Sequence, residues 1–280
     1  MATRLDRSYD QAVHKVRVQL QGFALRYWNG LGSWRDKDYE QLLKVLVPRI
    51  EAGQQKVADL TDAYIRRLAL EEFGAIKNGL PLEASTTALR GVPAAEVYHR
   101  PFASAYAELT SGKTMTAAVS AGAERLTDLV ASGLQLSKTH SAREAIGRSK
   151  FQGYQRTLTG RENCALCVIA STQRYTRGDL LPIHPGCDCG VKPYHARFDS
   201  QVIDERLLND TYTEIATRLD HVSVGLDARD LGLGKTDARG RQLSDFTDLL
   251  VTNQHGELGP VLSWRDHKFT SADDIAALAH

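Results

Sequence analysis

Apolar side chains recur at steps of three and four residues along most of the first 158 positions. This spacing places them on one side of an α-helix and predicts a series of amphipathic helices. Glycine, asparagine and proline interrupt the pattern, because they favour turns or break helices. The predicted helices cover residues 5–28, 33–76, 94–110, 114–135 and 141–158, with a turn at 77–81 and an irregular segment at 82–93.

Local signals refine this prediction at three places. Pro48 lies inside the second helix and predicts a kink or a restart there, because proline has no amide donor. Ser141 with Glu144 has the spacing of a capping box, which predicts that the last helix begins at that point. An aromatic cluster near the first turn is interpreted as the core where two helices meet; it consists of Tyr27, Trp28, Trp34 and Tyr39.

The pattern changes after residue 160. Residues 161–198 are rich in Cys, Gly, Pro, Arg and Tyr, and their apolar runs shorten to three or four residues. Such short runs between turn residues predict β-hairpins. Beyond them, the sequence predicts a helix over 202–219, a loop at 221–242, a helix near 243–251, a turn at 256–260 and a short helix after Ser271.

Composition and charge narrow the class of protein. The 280 residues include 42% hydrophobic and 25% charged side chains and carry a formal net charge of +1, which is typical of a folded globular chain. We see no apolar run of membrane-spanning length and no apolar leader at the start. We therefore expect no membrane attachment and folding in the cytoplasm, where structural disulfides are disfavoured.

All four cysteines lie within 26 residues, together with a histidine. Two residues separate Cys164 from Cys167 and His184 from Cys187, and Cys189 follows two positions later. Two close pairs of sulfur or imidazole ligands are typical of a tetrahedral zinc site, and soft ligands of this kind favour zinc. The sequence therefore predicts one structural zinc ion, held by four of these five side chains with Cys164 and Cys167 among them.

The other two ligands stay open at this point. His184 with Cys187 has the spacing of a zinc knuckle, whereas Cys187 and Cys189 would face the same way on an extended backbone. In the second case His184 would lie outside the ligand set and orient a cysteine. Two disulfides, or four reduced thiols in an ordinary core, are the alternatives without a metal.

The sequence offers no complete catalytic arrangement. A Cys167 thiolate bound to zinc cannot act as a nucleophile with His184, and a site with four protein ligands has no open position for a substrate. Gly234-Lys235-Thr236 imitates the end of a phosphate-binding loop, but Arg229 stands where that loop requires glycine. We therefore expect a protein that is not an enzyme.

Basic residues surround the cysteine cluster and suggest contact with nucleic-acid phosphates. No predicted helix in this segment has the length or spacing of a base-reading zinc finger, so any contact would be to the backbone. The alternative is that these are solvated surface charges. The residues concerned are Arg156, Arg161, Arg174, Arg177, Lys192 and Arg197.

Together these patterns predict a mainly α protein in three parts. An extended helical region over 1–158 would supply the docking surface for a partner. A small zinc-stapled β-hairpin module follows at 159–198, and residues 199–280 form a mixed, partly helical C-terminal region.

The order of the cysteine and histidine residues resembles the signature of MuF-like minor head proteins of tailed bacteriophages. Members of that family have a helical segment, a Cys-x2-Cys pair, then His-Pro-x-Cys-Arg-Cys and a proline shortly afterwards. The matching residues here are Cys164-Ala165-Leu166-Cys167, then His184-Pro185-Gly186-Cys187-Asp188-Cys189, and Pro193. Asp188 stands where arginine is common, which weakens any phosphate contact from that position.

The resemblance implies a structural protein of the phage head, assembled in the host cytoplasm and present in several copies per virion. It would associate with the portal vertex or the capsid interior, bind the portal or the major capsid protein, and aid head assembly or genome delivery. Related proteins are sometimes described as capsid maturation proteases. A DNA-binding protein of the head interior is the other alternative.

Overall fold

The structure is a computed structural model, and it describes residues 3–158, 162–176, 189–195, 202–219, 250–255 and 259–264. The described part of the chain is mainly helical, as the sequence predicts. The helices are α1 (Arg4–Asn29), α2 (Asp36–Phe73), α3 (Thr86–Arg90), α4 (Ala94–Thr110), α5 (Met115–Arg148), α6 (Ala165–Ser171) and α7 (Glu205–Leu219). The strands are β1 (Gly153–Thr157), β2 (Glu162–Cys164), β3 (Arg174–Thr176), β4 (Gly190–Tyr194), β5 (Leu250–His255) and β6 (Gly259–Trp264). Within these ranges, no helix combines the length and the apolar character needed to span a membrane.

The contacts divide the chain into two compact units. The first, which we name the helical unit, holds the described residues up to Gly153 together with 176 and 193–195. The second, which we name the cysteine unit, holds the described residues of 154–175 and 189–192 and those from 202 onward. Each unit is considered by itself below.

The helical unit is built around α5, which packs against α1, α2, α3 and α4. Small side chains let the neighbouring helices approach closely, and the middle of α5 is buried on all its sides. A helix that is buried all round lies at the centre of a bundle rather than on its surface. Its buried apolar side chains include Leu126, Leu129, Val130, Leu134, Ala142 and Ile146.

Trp28, near the end of α1, fills the centre of this core. Its indole N–H donates to the carbonyl of Val119 over 2.9 Å, and its ring meets Phe102 edge to face with 4.9 Å between centroids. A Cβ at Gly122 would lie 2.2 Å from the Trp28 ring, so only glycine fits opposite it. The predicted aromatic cluster is therefore confirmed as core, with Tyr27, Trp34 and Tyr39 packed against it.

The prediction that a new helix begins at Ser141 is wrong. Helix α5 runs without interruption from Met115 to Arg148, and β1 then occupies residues predicted as helix. The Ser141 hydroxyl does not cap a helix, because it donates over 2.7 Å to the carbonyl of Ala58 in α2. A tertiary hydrogen bond thus uses the side chain that resembled a capping residue.

Two smaller differences concern α2 and the segment after it. Helix α2 continues across Pro48, so no second helix starts there. The segment predicted as irregular contains the single-turn helix α3, where the Ser85 hydroxyl accepts from the amide of Ala88 and Gly91 ends the turn at a φ of +70°. Both ends of α3 thus follow ordinary capping chemistry.

The cysteine unit contains short strands in two three-stranded sheets. One sheet has the order β3-β1-β4 and the other the order β2-β5-β6. Strands β5 and β6 form an antiparallel pair in which Leu250 faces Trp264 and His255 faces Gly259. The helix predicted near 243–251 is therefore wrong at its last two residues, where pairing with two neighbouring strands imposes the extended form. The rest of that helix, the loop at 221–242 and the helix after Ser271 lie outside the described residues.

Helices α6 and α7 pack against each other within the cysteine unit. The backbone amide of Ile203 donates to the carbonyl of Thr172 over 2.8 Å, and Gln173 forms an antiparallel bridge with Val202. These contacts tie the start of the C-terminal region to the segment that follows the first cysteine pair.

Candidate metal centre

The first cysteine pair lies where a strand passes directly into a helix. Cys164 is the last residue of β2, and Cys167 lies in the first turn of α6. The Cys167 side chain is only 2% exposed, and Ala165 and Val168 beside it are also buried. The local fold therefore encloses one of the two thiols that the sequence places in every version of the metal site.

Cys189 lies directly before β4 and is completely buried. It precedes a strand in which Val191 is buried as well, so alternate residues point into the interior of the unit. His184 and Cys187, the two other predicted ligands, lie outside the described residues.

A buried arginine contacts the Cys189 sulfur. Arg156 lies on β1, is only 4% exposed, and its Nη1 donates to Cys189 Sγ over 3.5 Å. The guanidinium group keeps its positive charge in proteins, and burial of that charge is costly unless negative groups or strong acceptors face it. Sulfur is a weak acceptor as a thiol and a much stronger one as a thiolate.

Aromatic rings support Arg156 from the same strand and its neighbour. Tyr154 lies two residues before Arg156 and therefore on the same face of β1, and its ring centroid is 5.7 Å from the guanidinium carbon. Tyr154 stacks in turn on Tyr175 of β3, with 5.2 Å between ring centroids. These aromatic rings therefore restrict the positions that the guanidinium group of Arg156 can adopt.

The C-terminal hairpin extends the strand that carries Cys164. Strand β2 pairs antiparallel with β5, and Cys164 is opposite Val251 in the register. This pairing was not predicted, because β2 and β5 lie far apart in the sequence. The available local signal was the β-branched pair Val251-Thr252, since such residues favour a strand.

Two cysteine side chains do not by themselves define a metal site. Within the described residues there is no group of three or more His, Cys, Asp or Glu side chains arranged to hold a metal ion. Cys167 and Cys189 belong to these residues, whereas His184 and Cys187 do not.

The chemistry of the donors that are described fits zinc. Thiolates are the ligands that a structural zinc site prefers, and sites rich in thiolate carry excess negative charge. A buried guanidinium against the Cys189 sulfur supplies charge of the opposite sign. The ion would be held by four of the five predicted side chains, Cys164, Cys167, His184, Cys187 and Cys189.

The other predicted site residues divide into two groups. Arg156 is buried and is not accessible to nucleic-acid phosphates, whereas Arg174 and Lys192 are partly exposed and keep that possibility. Arg161, Arg177 and Arg197 lie outside the described residues. The Arg156–Cys189 contact was not predicted, because the two residues are far apart in the sequence. The one local signal was the spacing of Tyr154 and Arg156, which are two residues apart and so lie on the same face of a strand.

None of the described contacts of Ser171, in the same segment, would activate its hydroxyl as a nucleophile. The Ser171 hydroxyl donates over 2.7 Å to the carbonyl of Val168 in its own helix, as serines at helix ends commonly do.

No protein-family model matches the chain, and no curated protein or solved structure is significantly similar to it.

Proposed function

We propose that this protein is a structural minor head protein of a tailed phage, associated with the portal vertex or the capsid interior. The observation that carries the proposal is the order of ligands from Cys164 to Cys189, which resembles the MuF-like signature. Burial of the Cys167 and Cys189 side chains supports it, because a structural metal site needs enclosed thiols. The function would be to aid head assembly or genome delivery.

The proposal includes one structural zinc ion in the segment 159–198. Its role would be to fix short strands and turns that bury little apolar surface of their own. Zinc supplies on the order of 10–16 kcal/mol to small zinc-finger peptides, which is enough to fold a segment of this kind. A closed set of four protein ligands would leave the ion without a catalytic position.

The helices would supply the surface that binds the portal or the major capsid protein. Val18 and Leu25 support this part of the proposal, because they are exposed on α1 and lie two helical turns apart, on the same side of the helix. A row of exposed apolar side chains on a long helix is a common way to bind a partner. Several copies per virion would follow from the symmetry of the portal vertex.

The test is to follow the full-length protein, with an affinity tag, through head assembly and controlled disassembly. We expect it in purified heads, and we expect it to stay bound to the portal or the major capsid protein after the head is opened. Absence from purified heads would overturn the proposal.

Two other functions would give different results in the same experiment. A maturation protease would be required for cleavage of a capsid precursor, and Ser171→Ala or His184→Ala would stop that cleavage while zinc stayed bound. A DNA-binding protein would leave the opened head with the DNA at low salt and dissociate steeply as the salt concentration rises.

A further inference from the structure

The Arg156–Cys189 contact bears on the ligand set of the zinc site. The sequence leaves three candidates, His184, Cys187 and Cys189, for two places. Cys189 is the one of these three with a described side chain, and that side chain is buried against a cation. A neutral thiol gains little from a cation beside it, whereas a thiolate bound to a metal is stabilised by one.

We propose that Cys189 is a zinc ligand and that Arg156 is a positioning residue that holds its sulfur in the site. The inference rests on the zinc module of the proposed function and deepens it. Arg156 does not bind the metal; it acts through Cys189, by an N–H···S hydrogen bond and by its charge. The ligand set then becomes Cys164, Cys167 and Cys189, completed by His184 or Cys187.

Charge balance is the physical basis of this assignment. Three thiolates and one imidazole around a divalent ion leave one excess negative charge, and four thiolates leave two. Such a charge is costly to bury unless a cation compensates for it. Arg156 supplies a permanent cation that is itself almost completely buried and lies within hydrogen-bond range of one of the sulfurs.

The surroundings of Arg156 fit a positioning role. It lies on β1, the central strand of its sheet, and Cys189 directly precedes β4, one of the two strands beside β1. Tyr154 on the same strand restricts the guanidinium from one side and is itself stacked on Tyr175. The sheet therefore brings the sulfur and the guanidinium together.

The test measures zinc affinity in the full-length protein by competition with a chromophoric chelator. Arg156→Gln removes the charge and should weaken zinc binding by about 10–100-fold, the usual effect of losing a residue that supports a metal ligand. Arg156→Lys keeps the charge and should recover a large part of that loss. Arg206→Gln is the matched control, because Arg206 is an exposed arginine on α7 of the same unit, and it should bind zinc like the unchanged protein.

Cobalt provides a readout that a purely structural role would not move. In the cobalt-substituted protein, the sulfur-to-metal charge-transfer absorption grows with the number of bound thiolates. Cys189→Ser should lower the intensity of this absorption by the contribution of one bound thiolate. Arg156→Gln should shift the band while Arg206→Gln leaves it unchanged.

Three outcomes would overturn the inference. Unchanged zinc affinity in Arg156→Gln would do so, and so would full thiolate absorption in Cys189→Ser. Equal losses of zinc affinity in Arg156→Gln and Arg156→Lys would show that Arg156 acts by packing against Tyr154 and not by its charge. If the unchanged protein binds no zinc, the proposed zinc module is wrong as well. If the protein binds zinc but is absent from purified heads, the proposed function alone is wrong.

Discussion

The helical unit and the cysteine unit differ in the side chains they bury and in the length of their elements. Among the described residues, nine of the ten largest fully buried side chains belong to the helical unit, and Tyr154 alone represents the cysteine unit. The helical unit has helices of up to 38 residues around one apolar core, whereas the cysteine unit has strands of three to six residues. Both units bury charged side chains, and among the described residues the cysteine unit also buries the thiols of Cys167 and Cys189.

This difference shows how each unit can tolerate change. Burial of large apolar side chains is distributed over many residues, so the helical unit should lose stability in small steps when single residues change. A unit that depends on one bound ion should lose most of its stability at once when that ion is removed. The predictions below test this contrast, from the largest expected effect to the smallest.

Removal of zinc should unfold the cysteine unit and leave the helical unit folded. The purified protein should contain about one zinc per chain, and a strong chelator should remove a contribution on the order of 10 kcal/mol. Far-UV circular dichroism should keep most of the helical signal, while limited proteolysis followed by mass spectrometry should show new cleavage near Tyr175. Resistance to protease in the zinc-free protein would contradict the prediction.

Substitution of a ligand should reproduce the effect of the chelator. Cys167→Ser should increase cleavage near Tyr175 and lower the zinc content, because serine is a poor zinc ligand and the side chain is buried. Ser171→Ala, four residues later in the same helix, is the matched control and should keep both properties. Equal behaviour of the two variants would argue for reduced thiols in an ordinary core.

The buried carboxylate of Asp62 should be the most sensitive single polar group of the helical unit. It accepts from Arg66 over 2.9 Å and from Arg148, and the same two arginines donate to the carbonyls of Gly79 and Leu80. Asp62→Asn removes the charge that faces both arginines. We expect a loss of roughly 2–3 kcal/mol in the free energy of unfolding by urea, because a buried pair is costly to break from one side.

The control for Asp62 is an ion pair on the surface of the same helix. Arg67 Nε and Glu71 Oε1 are 2.7 Å apart, and both side chains are more than half exposed. Glu71→Gln should cost less than about 1 kcal/mol, because water screens an exposed pair. Neither variant should change the zinc content, and a loss of zinc in Asp62→Asn would contradict the independence of the two units.

The next largest change in stability is expected from steric fit at the centre of the core. Gly122→Ala places a methyl group where the Trp28 ring lies, and we expect a cost of about 2 kcal/mol from overpacking. Gly147→Ala in the same helix meets no atom within 4 Å and should stabilise the helix by about 0.5 kcal/mol. Urea unfolding followed by circular dichroism measures both, and effects of the same sign would contradict the packing described for Trp28.

The sequence was sufficient for features whose cause is local. Helices α1 and α4 lie within about one residue of their predicted bounds, because the apolar spacing and the flanking turn residues act within a few positions. Burial of Trp28 followed from the same pattern. The mainly helical character of the chain could therefore be predicted from the sequence.

Features whose cause lies far away in the chain were missed. The Ser141 hydroxyl binds a carbonyl of α2, and β5 pairs with β2 although about 85 residues separate them. The contact between Arg156 and Cys189 likewise depends on strands that meet only in the folded sheet. Spacing could propose the zinc ligands, but it could not assign a cation to one sulfur.

The smallest predicted effect concerns pH and His140 on α5. Burial lowers the pKa of His140 below its ordinary value, and the positive charge of Arg143 lowers it further. Near pH 6.5 the imidazole of His140 therefore binds a proton more readily in the unfolded chain than in the folded chain. Stability must fall as the pH drops through 6.5 and stop falling from this source below the lowered pKa. His140→Gln should lose less stability than the unchanged protein between pH 7 and pH 5.

The comparison of His140→Gln with His14→Gln isolates this effect. His14 is an exposed histidine of α1, so the same substitution there does not remove the half-buried imidazole of His140. Urea unfolding at closely spaced pH values gives the slope of stability against pH for each variant. We expect a shallower slope for His140→Gln alone, because burial lowers the pKa of His140 in the folded chain. Equal slopes in the two variants would contradict the assignment of this pH dependence to His140.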